Sequence, residues 1–191
     1  MDEILKKINA VSAAKGRAII AIDGRSAAGK TTLAAALAAQ LGAAVVHMDD
    51  FYLPRAVQPA DLTAVPGGNM DFARFRVEIV PALETGLAGS YRVFDPKAQA
   101  FAASVEIPAG ASVIVEGAYC LHPALPDLYD LRLFVTVDPE TQLARVLRRG
   151  GETALAAFRS RWIPAEETYI KAYDVQGRCD VSLTYPPSAS R

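Results

Sequence analysis

Residues 24–31 read GRSAAGKT, and four of these eight positions constrain the rest of the chain. Gly24, Gly29, Lys30 and Thr31 fit the spacing G-x-x-x-x-G-K-[ST], which needs a strand before it and a helix after it. Glycines let the backbone wrap closely round an anion, and successive N–H groups at a helix N-terminus form a concave nest for it. Lys30 then reaches the β and γ phosphates of a nucleotide, and Thr31 offers a hydroxyl to Mg²⁺. Gly24, Arg25, Ser26, Ala27, Ala28, Gly29, Lys30, Thr31 and Thr32 are therefore the expected nucleotide site, with ATP and Mg²⁺ as its expected ligands.

The flanking residues supply the required context. RAIIAID, residues 17–23, is a short apolar run rich in isoleucine, as suits a strand buried on both faces of a parallel sheet. KTTLAAALAAQL, residues 30–41, is built from the strongest helix formers. Before them, Ile4, Leu5, Ile8 and Val11 recur at helical spacing up to Gly16. After them, AVVHM (44–48) reads as a second strand, and FARFRVEIVPALETG (72–86) reads as a helix capped by Asp71 and bent or ended near Pro81. SVIV (112–115) and LRLFVTV (131–137) read as further strands, the latter leading into the helix DPETQLARVLRRG. Strands alternating with helices predict an α/β fold with a mainly parallel sheet. Two stretches, 53–69 and 150–161, read as irregular connections too long to be simple links, and the tail PPSASR is expected to fray.

Composition narrows the function. The chain has 191 residues, 51% of them hydrophobic, with 20 Lys plus Arg against 21 Asp plus Glu. A formal charge of −1 gives no general attraction for nucleic acid or an anionic membrane, so any anion must be held by a local site. Two cysteines, Cys120 and Cys179, with His47 and His122 make neither a disulfide framework nor a four-ligand zinc site. No apolar run reaches the roughly 18 residues of a spanning helix, and the first residues lack the apolar core of a signal peptide. A cytoplasmic location is expected. Self-association into a homo-oligomer is compatible with the sequence, which does not decide it.

Carboxylates follow the strand candidates. HMDDFYLPR puts Asp49 and Asp50 where the second strand ends, the edge at which open α/β sheets bind ligands. One of them can take a proton from an attacking hydroxyl and help hold Mg²⁺, while the other can cap a local turn. Glu116, at the end of VIVEG, is placed to order Mg²⁺ directly or through water, or merely to end a strand. Thr31, Asp49 and Glu116 are thus the metal candidates. Arg145, Arg148 and Arg149 fall on one helix face and can converge on a transferred phosphate, or face solvent. Glu167 and Lys171, with Tyr169 and Tyr173, have the spacing of pairs that stabilise a helix, and Trp162 reads as core or hinge. The Asp-x-x-Gly and Asn-Lys-x-Asp elements of a GTPase switch are not arranged here: the one Asp-x-x-Gly begins at Asp174.

Taken in order, GRSAAGKTTLA, DDFY, PGGNMDF, VIVEG and LARVLRR resemble the uridine kinase and phosphoribulokinase group of P-loop kinases, over roughly residues 17–183. The resemblance implies a P-loop NTPase fold of three α/β/α layers with a short lid near 150–162, a substrate segment near 53–95, and one domain over 1–191. It implies phosphoryl transfer from ATP to the hydroxyl of a small molecule, most specifically a nucleoside. Under it Asp49 is the base, Tyr52 closes the same pattern on the substrate, and Asp71 holds the ribose. Arg145 and Arg148 join Lys30 in the catalytic set, with Arg159 and Arg161 as substrate-facing lid arginines. The chain departs from the group at YRVFDPKAQAF, where Phe94–Asp95 stands for the usual Tyr-Asp pair and the uracil-reading histidine is missing. That departure leaves pantothenate or a sugar phosphate as acceptor, or a non-catalytic nucleotide-binding role, as alternatives.

Overall fold

A computed structural model describes residues 1–184; the tail PPSASR lies outside the described residues. Helix α1 (Asp2–Lys15) ends on Gly16, whose left-handed φ of 83° lets its N–H turn back to Ser12 O. Strand β1 (Ile19–Gly24) is buried throughout, and α2 (Lys30–Leu41) starts directly from the glycine turn. Strand β2 (Ala44–His47) runs into a 3₁₀ turn over Met48–Phe51. Helix α3 (Phe72–Glu78) is capped by Asp71, which accepts the Arg74 N–H, and α4 (Val80–Thr85) follows after a break just ahead of Pro81.

The next elements are strands β3 (Gly89–Asp95), β4 (Ala100–Ile107), β5 (Val113–Glu116) and β6 (Leu131–Thr136). Helix α5 (Pro139–Ala157), helix α6 (Ile163–Ala172) and strand β7 (Val181–Thr184) complete the described chain. Five strands form one parallel sheet in the order β2-β5-β1-β6-β7. Alternation along β1 divides its side chains between two cores. Ile20 and Ile22 pack with Ile8 of α1 and with Leu33 and Leu37 of α2, while Ile19 and Ala21 pack with Phe75, Ile79 and Tyr169 on the other side. The result is the expected α/β sandwich, with helices on both faces of a parallel sheet.

Two sequence expectations need correction. Residues 150–161 are helical: α5 continues to Ala157 through a break at Gly151 (φ 70°, ψ −170°), and one π-helical turn (Phe158–Trp162) passes into α6. ETALAA has strong helix propensity, so one glycine bend suffices where a loop was read. Strand β3, at the end of the substrate segment 53–95, pairs antiparallel with β4 in a hairpin outside the main sheet that the sequence pattern did not show, with its register shifted at Val93/Phe94. Glu167 does not pair with Lys171; it faces the glycine loop, as described next.

Candidate active site

Parallel register decides which carboxyl ends meet. Ile22 and His47 both sit opposite Glu116, so the last residues of β1, β2 and β5 open on one edge of the sheet. Above it lies the 24–31 loop. Gly24 (φ 132°) packs so closely on β6 that a Cβ would stand 2.0 Å from Val135 O, which explains a glycine there in packing terms alone. Arg25 N donates to the same carbonyl at 3.0 Å. Lys30 folds back, its Nζ donating to Gly24 O at 2.8 Å and Arg25 O at 2.9 Å.

The two helices between β6 and β7 hold this loop from the outside. Gln142 donates to Ser26 O at 3.0 Å and Arg145 to Ala27 O at 3.1 Å, both from α5. From α6, the buried Glu166 carboxylate accepts the Ser26 N–H at 3.0 Å and the Ser26 hydroxyl as well. Glu167 accepts both arms of the Arg25 guanidinium at 2.6 and 2.9 Å, a planar fork that outcompetes a single surface lysine. Beneath the loop, Asp23 is fully buried and accepts from Gly24 N, Leu121 N and the Tyr169 hydroxyl. Burial raises its carboxyl above the usual range against the pull of those bonds.

Glu116 accepts the Thr31 hydroxyl at 3.1 Å, and His47 Nδ1 lies 2.5 Å from the same oxygen. That hydrogen bond raises the His47 pKa, against the smaller opposing effect of burial. A hydroxyl beside a carboxylate is the all-oxygen donor set that suits a hard cation. Among the described residues no cluster of three His, Cys, Asp or Glu side chains could hold a metal alone. This fits Mg²⁺ taken up together with phosphate oxygens and water rather than in a protein cage.

Asp49 and Asp50, neighbours in sequence, part ways. Asp49 lines the cavity over the loop and accepts the Tyr52 hydroxyl at 3.1 Å. Asp50 accepts the Tyr91 hydroxyl at 3.0 Å and stays outside the cavity, its carboxyl raised by burial. The cavity measures about 1400 Å³, above the roughly 300–1,000 Å³ of a one-ligand pocket, so it has room for a nucleotide and a second small molecule. Ser26, Lys30, Thr31, Asp49, Glu116 and Arg145 share it, as do Tyr52, Arg148 and Arg161.

Five sequence candidates are not on its wall: Gly24, Arg25 and Ala28 of the loop, and Asp71 and Arg159 of the substrate set. Asp71 is the α3 cap, with one oxygen on Arg74 N and the other 3.4 Å from Arg74 Nε. Conversely, Asn69, Arg55, Lys97, Tyr119 and Glu166 line the cavity without having been singled out in the sequence. Asn69 was visible there only as the first residue of the Asn-x-Asp segment. His122 does not point into the cavity. Its two ring nitrogens meet Pro66 O and Ala124 N, its ring stacks 4.3 Å from Phe72, and burial lowers its pKa.

No protein-family model matches the chain. Among solved structures, a possible uridine kinase from Bacillus stearothermophilus superposes with a TM-score of 0.69 at 19% identity, covering 95% of this chain and 99% of that one. The fold is that of the uridine kinase-like group. Two shikimate kinases superpose only loosely. The one from Bacteroides thetaiotaomicron has a TM-score of 0.45 at 17% identity, covering 87% of this chain and 85% of that one. The one from Acinetobacter baumannii, in complex with shikimate, has a TM-score of 0.45 at 16% identity, covering 93% and 89%. Among the described residues no helix is long and apolar enough to cross a membrane.

Proposed function

We propose that this P-loop kinase fold transfers the γ-phosphoryl group of ATP to a hydroxyl of a small molecule. The observation that carries the reading is Asp49: a carboxylate at the end of β2, in one cavity with Lys30 and Thr31, where a bound hydroxyl would meet a base beside the phosphate loop. The loop N–H groups at the start of α2 hold phosphate, and Lys30, released from Gly24 O and Arg25 O, turns its ammonium to the β and γ oxygens. Thr31 and Glu116 would hold Mg²⁺, which when bound would offset the negative charge of the phosphates. Asp49 accepts the proton of the attacking hydroxyl, and the Tyr52 hydroxyl donates to Asp49 and fixes its orientation. Burial keeps Tyr52 protonated, so it remains a donor. Arg145 and Arg148 on the cavity wall face the charge that develops on the transferred group.

The acceptor implied by sequence resemblance is a nucleoside, with Asp71 on the ribose and Arg159 and Arg161 in the lid spanning 150–162. Asp71 spends its oxygens on Arg74 as a cap, so the structural support stops at a hydroxylated small molecule. A coupled assay of ADP release over nucleosides, pantothenate and sugar phosphates tests the reading, with Lys30→Ala as control. Acceptor-dependent ADP release by wild type, lost in the folded variant, is the expected result; equal release by the variant overturns it.

A further inference from the structure

The cavity is lined by cations of two origins. Lys30 belongs to the glycine loop, Arg145 donates to its Ala27 carbonyl, and Arg148 and Arg149 follow along α5. Three more cations, Arg55, Lys97 and Arg161, line the same cavity and are supplied by three separate segments away from that loop. Their placement is fixed. Arg55 N donates to Gln99 Oε1 at 2.8 Å, which ties the 53–69 connection to the tip of the β3–β4 hairpin. Asp95 accepts the N–H groups of Lys97 and Ala98 and turns that tip so that Lys97 meets the cavity. Arg161 donates to Gln58 at 3.1 Å, and Gln58 donates in turn to Leu53 O. None of these three cations forms an ion pair with a carboxylate among the described residues.

An independent observation comes from the residue beside Tyr52 and Leu53. Asn69 lines the cavity yet is only 1% exposed, and its Oδ1 is the one buried side-chain polar atom among the described residues that has no hydrogen-bond partner. Leu53 N bonds Asn69 O at 2.8 Å, and the bridge between Tyr52 and Met70 keeps Asn69 beside the tyrosine that donates to Asp49. A buried amide oxygen without a partner costs about 1–3 kcal/mol, which a donor on a bound ligand would recover.

Resting on the kinase reading above, we propose that the acceptor is a small hydroxylated anion, a phosphate ester or a carboxylate. Its charge is held by Arg55, Lys97 and Arg161, and one of its non-reacting hydroxyls donates to Asn69 Oδ1. A neutral nucleoside would leave the three cations unmatched, whereas a phosphate or carboxylate accepts the fork of an arginine and the point charge of a lysine together. The arrangement also sets the reacting hydroxyl toward Asp49, because the anion and the Asn69 contact fix the molecule at two points.

The test uses the whole chain and matched pairs: ribose against ribose phosphate, glycerol against glycerol phosphate and glycerate, and uridine as the neutral nucleoside. ADP release gives kcat/KM, and thermal shift without ATP gives binding. Anionic members are expected to exceed their neutral partners at least about tenfold in kcat/KM, one well-made charged contact's worth. In Arg55→Ala/Lys97→Ala that preference is expected to collapse through the acceptor KM, with a smaller change in the ATP KM. Asn69→Ala is expected to raise the acceptor KM for hydroxylated anions and not for a shorter one lacking the extra hydroxyl, such as glycolate. Phosphate esters preferred over carboxylates, or the reverse, identifies the anion within the proposal. Neutral acceptors used as well as anionic ones overturn the proposal and leave the kinase reading standing. Anion binding that depends on Arg55 and Lys97, with no transfer to any acceptor, keeps the anion site and overturns the kinase reading.

Discussion

The two parts of the cavity proposed to take phosphate and acceptor, the phosphate wall and the acceptor wall, are made differently. Under the phosphate, β1 is buried end to end and the loop is held by Gln142, Arg145, Glu166 and the Arg25–Glu167 pair. The acceptor wall is a hairpin whose β4 is largely exposed and a connection, 53–69, with little regular structure. Phosphate is bound mainly by backbone N–H groups, so that wall depends on a shape that a short motif encodes. An acceptor is bound by side chains on connections, which a fixed scaffold carries and which vary without cost to the sheet. On the proposed function, chemistry falls to the rigid half and substrate choice to the adaptable half.

The largest effect expected to sharpen this contrast is at Asp49, where the two walls meet. Asp49→Asn is expected to lower kcat by about 10²- to 10⁴-fold, the usual contribution of a positioned base. Asp50→Asn, one residue on but turned to Tyr91, is expected to lose far less. Steady-state kinetics on both variants decides, and the reverse order would place the base on the other aspartate.

Next comes Arg74, the anchor of the acceptor wall. Its buried guanidinium donates to Asp50 O at 2.6 Å and Arg92 O at 2.7 Å, faces Glu78 and sits 4.2 Å over Phe51. Arg74→Ala strands those partners and is expected to cost about 3–5 kcal/mol in urea unfolding. Its acceptor KM should rise more than its ATP KM. A variant as stable as wild type would show that the adaptable wall needs no such anchor.

Glu166 is the counterpart in the phosphate wall. Glu166→Ala leaves the Ser26 N–H and hydroxyl without partners, an expected loss of about 1–3 kcal/mol, and here the ATP KM should rise more than the acceptor KM. Burial raises the Glu166 carboxyl above its ordinary 4.5, with Lys30 and the Ser26 bonds pulling it down less strongly. The folded state thus holds this proton more tightly than the unfolded chain does. Its contribution to stability falls as pH rises from the ordinary value to the raised one, and is level beyond. Denaturation midpoints across that window should decline less steeply in Glu166→Ala than in wild type; parallel slopes would remove Glu166 from the titrating set. The smallest effect is at Arg161, exposed and bonded to Gln58: Arg161→Ala should leave stability within about 0.5 kcal/mol. A larger loss would make the π-helical turn part of the rigid half.

What the sequence determined by itself is whatever depends on neighbours along the chain. The GRSAAGKT turn, the buried strands at Ile19 and Val113, the caps at Asp71 and Asp138 and the stop at Gly16 all follow from conformational preference or spacing within a few residues. What only the tertiary structure decided is whatever depends on residues that the parallel crossovers bring together. Glu166 reaches Ser26 across 140 positions, and Glu167, whose spacing suggested a partner on its own helix, turns to Arg25 because a two-armed guanidinium contact is stronger. Asn69 and Lys97 meet the cavity because a hairpin off the main sheet folds over the 53–69 connection, a packing that neither segment's own pattern encodes. Asp49 and Asp50 show the limit most sharply. Identical side chains one residue apart are set on opposite sides of a single 3₁₀ turn, and the direction of that turn depends on the β2–β5 register and the packing of Met48 and Phe51, which are contacts over distance.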